Sequence, residues 1–98
     1  MKFLPILALI GAPAFAQQDP TQPCTLVGEI AGKTLEAYTV GVPMSDMIEI
    51  ADGDELLVKI IMDAYDEPRY STPDVVASAN FEFRNKWEYD CFQTLSNQ

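Results

Sequence analysis

Two cysteines, Cys24 and Cys91, bracket nearly all of the foldable part of this 98-residue chain, and nothing else constrains its fold so strongly. With two thiols, only one connectivity exists within a monomer. A bridge between them would close a loop of about 68 residues, for which chain entropy alone gives about 4.4 kcal/mol. That is comparable to the whole stability of a small domain. Redox catalysis is the sharper use of paired thiols, but it favours a Cys-x-x-Cys spacing, and these two lie far apart.

Whether the bridge forms depends on the compartment, and the N-terminal residues speak to that. Lys2 is followed by an apolar run from Phe3 to Phe15, ending in Ala14-Phe15-Ala16. Residues 1–16 read as a secretory signal peptide cleaved before Gln17. The run is broken by Pro5, Gly11 and Pro13 and falls short of the roughly 20 apolar residues that span a bilayer. The expected destination is periplasmic or secreted, with no membrane insertion after cleavage. Exported chains meet an oxidising compartment, so Cys24–Cys91 is expected as a disulfide. The mature chain of about 82 residues is long enough for one domain but too short for a deep core, so a covalent staple suits it.

The formal charge is -9, from fifteen Asp and Glu against six Lys and Arg, and loss of Lys2 adds one more negative unit. Nucleic acid and anionic lipid need clustered basic residues, so neither is an expected partner. A basic protein surface is compatible with this charge through electrostatic steering.

Hydrophobic periodicity gives the elements. Residues 17–23, with two prolines, read as a flexible leader, and the helical domain as residues 24–95 with a 96–98 tail. Cys24, Val27, Ile30, Ala31, Thr34, Leu35 and Tyr38 recur at helical spacing, predicting a first helix that Gly41 and Pro43 stop. Gly28 and Gly32 inside it mark a close helix crossing. A short second helix runs to about Ala51 and turns Met44, Met47, Ile48 and Ile50 inward. Asp52 and Glu55 have capping-box spacing for a third helix, Asp54 to about Tyr65. Its broad stripe of Leu56, Leu57, Ile60, Ile61, Ala64 and Tyr65 places it in the middle of the packing. The longest helix, Thr72 to Leu95, begins with a capping Thr72, then Pro73 and Asp74. Its inward face carries Val76, Ala79, Phe83, Trp87 and Cys91. No segment alternates with period two, so the predicted fold is all-α, a compact bundle of about four helices stapled by one disulfide, with the first and last helices antiparallel.

Chemistry is constrained mainly by what the composition omits. There is no histidine, which removes Ser-His-Asp and Cys-His nucleophile systems and the histidine zinc motifs. Carboxylates alone can hydrolyse glycosides, but a small helical domain offers little cleft for a sugar chain, so a carboxylate-based cell-wall hydrolase ranks last. The acidic run Asp46, Glu49, Asp52, Asp54 and Glu55 invites a calcium loop. With Gly53 as the sixth residue, however, positions one, three and twelve would be Ile48, Ile50 and Lys59, which are not the ligands such a loop requires. No catalytic, cofactor or metal residues are assigned. The connector Ala64 to Asp74 concentrates Tyr65, Arg69 and Tyr70, residue types that anchor interfaces, and these three are the candidate partner-binding residues. The alternative is that both tyrosines close over the core while Arg69 pairs with Asp66 or a helix end.

Cys24, Gly41-Val42-Pro43, Ala64-Tyr65 with Pro68-Arg69-Tyr70-Ser71, and Phe83-Arg84-Asn85 leading to Cys91 give the chain a resemblance to small exported helical proteins of bacteria and phages with one cysteine pair. The resemblance implies export and a compact helical fold. In size, export and a single long-range disulfide the chain is also loosely similar to the acid-stress chaperones of the bacterial periplasm. The functional expectation is a non-enzymatic exported protein that binds an unidentified protein partner, with an acid-activated periplasmic chaperone as the alternative.

Overall fold

The structure, a computed structural model, describes residues 19–96. The apolar run of residues 3–15 and the cleavage position before Gln17 lie outside the described residues, as do Asn97 and Gln98. Four helices follow in order: α1 (Thr21–Thr39), α2 (Met44–Ala51), α3 (Glu55–Ala64) and α4 (Pro73–Ser96), with no strand among the described residues. The fold is all-α.

Helix α1 starts at Thr21, so the last residues of the stretch read as leader are helical. Asp19 accounts for the early start: its carboxylate accepts the Thr21 amide at 2.9 Å. The Cys24 amide then donates to the Pro20 carbonyl at 3.1 Å, so the first turn has a partner for its amide before the cysteine is reached. At the other end Gly41 takes a left-handed φ of 92°. There Gly41 N–H donates to Tyr38 and Val42 N–H to Ala37, at 3.1 and 2.9 Å, the paired bonds of a Schellman stop.

The turn between α2 and α3 corrects the sequence reading. Asp52 does not cap α3; it ends α2 in a left-handed conformation with φ 49°, which a short polar side chain tolerates better than a branched one. Asp54 is the cap, its carboxylate accepting the Leu57 amide at 3.0 Å.

Helices α1 and α4 run antiparallel and form the main contact of the molecule. The register can be followed along the pair: Cys24 bonds to Cys91, Gly28 faces Glu88, and Gly32 faces Arg84 and Asn80. A Cβ on Gly28 would collide with the Glu88 side chain, and one on Gly32 would sit 2.7 Å from Arg84 Cδ. The two glycines therefore leave room for the Glu88 and Arg84 side chains to lie across α1. Asn80 Nδ2 also donates to the Gly32 carbonyl at 2.8 Å.

On one side of this pair lies α3. Ala31 and Leu35 of α1, Ile60 and Ala64 of α3, and Phe83 of α4 form the buried core, with Val27, Ile30, Tyr38, Tyr65 and Trp87 packed around it. The helix in the middle is thus α1, which packs on both α4 and α3, while α2 packs chiefly on α3. The sequence reading gave that place to α3. Its stripe is narrower than expected because Leu56 is exposed, and on α2 Ile50 is 72% exposed. Ile60 and Ile61 carry the burial instead.

The disulfide joins residues 67 apart in sequence, with a Cα–Cα distance of 5.4 Å. It fastens the start of α1 to the last turns of α4. A Cys24→Ser/Cys91→Ser double variant should lose about 2–4 kcal/mol, read as a lower urea midpoint with an intact helical circular-dichroism spectrum in the absence of denaturant.

Candidate functional site

The three residues singled out in the connector do different things in the folded chain. Tyr65 closes α3, and its hydroxyl donates to the Val42 carbonyl at 2.6 Å, across the molecule from its own helix. Its ring packs on Tyr38 with centroids 4.9 Å apart and planes tilted by 57°. The Tyr38 hydroxyl in turn donates to the Glu67 carbonyl. Arg69 lies over the Tyr38 ring, its guanidinium carbon 5.0 Å from the centroid. Two tyrosines thus lace the end of α1, the α1–α2 turn, the end of α3 and the connector into one unit.

Burial pushes the Tyr65 phenol above its ordinary value of 10.0; Arg69 nearby pulls it back and Asp46 pushes it up. Arg69 makes no salt bridge with Asp66, although an ion pair there was one of the expected alternatives; its partner is the aromatic face. Tyr70, 41% exposed, enters none of these contacts; Arg69 is exposed as well, and Tyr65 is half-buried.

Beside Tyr70 the surface opens into a cavity of about 670 Å³ between the C-terminal half of α1 and the N-terminal half of α4. Val40, Pro73, Val76, Ala77 and Phe81 give it an apolar lining, and Glu36, Asn80 and Arg84 supply the polar groups. Thr39 and Val76 border both this cavity and the small void under Tyr70, so the two features adjoin. Val40 is 78% and Phe81 64% exposed. Both were outside the sequence reading of candidate contacts. The signal that would have found them is positional: Phe81 falls off the apolar face set by Ala79, Phe83 and Trp87, and a large aromatic there has nowhere inward to go.

Arg84 rests its stem against Gly32, and its Nε is buried without a hydrogen-bond partner. It makes no salt bridge among the described residues. Lys86 behaves differently: it pairs with Asp63 at 2.7 Å, and the same carboxylate accepts Trp87 Nε1 at 2.9 Å, which ties α3 to α4 on the face away from the groove.

Among the described residues, no three His, Cys, Asp or Glu side chains converge in a way that could hold a metal ion, and no helix is long and apolar enough to cross a membrane. The chain matches no family model, no curated protein and no solved structure.

Removing the Tyr65 hydroxyl leaves the Val42 carbonyl short of a partner, so Tyr65→Phe should cost about 1 kcal/mol at neutral pH. Because the folded phenol titrates above its unfolded value, the stability it contributes is present below about pH 10 and is lost as pH rises through the raised value. Denaturant midpoints measured between about pH 9 and 11 should therefore fall less steeply in Tyr65→Phe than in the wild type.

Proposed function

We propose that this is an exported, non-enzymatic protein, periplasmic or secreted, that acts by binding another protein. The observation that carries this reading is an open cavity whose lining includes the exposed Val40 and Phe81, with the exposed Tyr70 on the adjoining small void, in a strongly acidic chain. Exposed apolar surface that lies contiguously and is rimmed by polar groups is characteristic of interaction sites. Tyrosine and phenylalanine supply much contact area for little lost rotamer freedom. Of the three connector residues, Tyr70 is the contact; Tyr65 and Arg69 hold it in place through Tyr38. Export rests on the reading of residues 1–16 and is favoured by the disulfide.

The experiment is affinity capture from periplasmic extract with the tagged protein, comparing the wild type with Tyr70→Ala and with Arg69→Ala/Tyr70→Ala. A partner should be retained by the wild type and lost several-fold from both variants, each verified as folded by circular dichroism. Recovery of the same proteins in all three lanes would sink the reading.

A second reading, an acid-activated periplasmic chaperone, draws support from the link between α3 and α4. Few backbone approaches join these helices; Asp63, bridging to Lys86 and Trp87, does much of that work. Loss of this link and separation of α3 would uncover Ile60 and Phe83. At about pH 3, where carboxylates take up protons, the protein should suppress aggregation of an acid-labile client, whereas at neutral pH it should not. Unchanged client turbidity at both values would rule this out.

A further inference from the structure

Among the described residues, the helices cover one side of the α1–α4 pair and leave the other open. Helix α3 fills the first side through Ile60 and Ala64. The opposite side is the groove between Val40 and Phe81, and every residue lining it comes from α1, α4 or the position that follows α1. Two antiparallel helices with an unfilled valley between them present the geometry into which a third helix packs, its side-chain ridge lying in the valley.

Charge decides what kind of helix. Glu29 and Glu36 are seven residues apart and so lie on one face of α1, both exposed. On α4, Asp74 is exposed and lies seven residues before Phe81, which puts it on the groove side, and Glu88 is a turn beyond Arg84. Of these carboxylates Glu36 is in the lining itself, where Arg84 is the one cation, and on the α1 face the exposed Lys33 lies between Glu29 and Glu36. The remaining charge of the chain adds to the negative field, at a formal -9 overall. A second copy of the chain would bring the same carboxylates against these and is disfavoured by like-charge repulsion.

We infer that the α1–α4 groove is a docking site for a basic amphipathic helix of a partner protein. The inference rests on the protein-binding reading above and deepens it. One apolar stripe of the partner lies on Val40, Val76, Ala77 and Phe81, with a large side chain entering beside Phe81. Lysine or arginine on either flank of that stripe meets Glu36 on the α1 side and Asp74 on the α4 side. This is helix-in-groove recognition, in which residues at i, i+3 or i+4 and i+7 of the partner make the anchors.

The test uses protein purified from the periplasm of an exporting host and three labelled synthetic peptides of about 18 residues, five helical turns each. The first is an amphipathic helix of leucine and lysine; the second has the same composition with the leucines dispersed; the third replaces lysine with glutamate. Fluorescence anisotropy at neutral pH should give the amphipathic lysine peptide a Kd on the order of micromolar and at least about tenfold weaker binding for the other two. Phe81→Ser and Glu36→Lys should each weaken the lysine peptide by about tenfold, whereas Tyr89→Ser should leave it unchanged. Tyr89 is exposed on the same helix but outside the lining. Both test residues are exposed, so neither variant threatens the fold, and circular dichroism verifies it.

Equal losses in Phe81→Ser and Tyr89→Ser, or equal binding of the dispersed peptide, would mean generic attraction of cations and would overturn the inference. So would sedimentation showing a wild-type dimer that Phe81→Ser converts to monomer, because the groove would then hold a second copy. Capture of a partner that Phe81→Ser leaves undiminished ends the groove proposal while leaving protein binding intact; failure to capture any partner counts against the broader reading instead.

Discussion

The antiparallel contact of α1 with α4 is the interaction on which the rest of this structure depends. It needs three things from the sequence, and each sits at its own level of the seam. Cys24 with Cys91 ties one end covalently, Gly28 and Gly32 leave room for Glu88 and Arg84 in the middle, and Leu35 with Phe83 fills the apolar floor. The remaining helices are then added in order of decreasing contact: α3 against α1, and α2 chiefly against α3. Local opening is expected to follow the same order in reverse, since elements with few buried contacts unfold most easily.

That hierarchy explains why much of the fold was legible in the sequence and some of it was not. The helix count, their order and the antiparallel ends follow from periodicity and from a single pair of thiols, which are local or singly determined features. The misplaced details concern competition. Asp52 and Asp54 both have capping chemistry, and only the geometry of a three-residue turn decides that Asp52 goes left-handed and Asp54 caps. Leu56 and Ile50 belong to apolar stripes by spacing, yet no described residue covers them enough to bury them. The central position of α1 was hidden for a similar reason: its glycines and threonines lower its apparent hydrophobicity.

The connector shows the same limit from the functional side. Tyr65, Arg69 and Tyr70 looked alike as interface residues, because composition cannot tell a side chain that anchors a partner from one that anchors its own loop. Folding separates them. Tyr65 and Arg69 are spent on Tyr38, Val42 and the turn they hold, and Tyr70, exposed, enters none of these contacts. The division is useful physically, since an exposed aromatic makes a good contact only if its backbone is held, and the two-tyrosine unit beneath it supplies that rigidity at little further cost in chain entropy.

The open side of the α1–α4 pair follows from length as much as from chemistry. Helix α2 has 8 residues and α3 has 10, against 19 and 24 for α1 and α4. Two short helices joined by a tight turn can wall off one side of two long ones, but cannot also wrap to the other. Among the described residues the seam is therefore covered there by side chains of its own helices, Asn80, Arg84 and Glu88, laid across the glycines. An apolar floor left exposed in this way invites self-association in a neutral protein. In a chain carrying a formal -9 the same floor is kept apart from its copies by repulsion, while anything of opposite charge is drawn to it, so acidity and the unfilled valley act together as a single filter on what can bind.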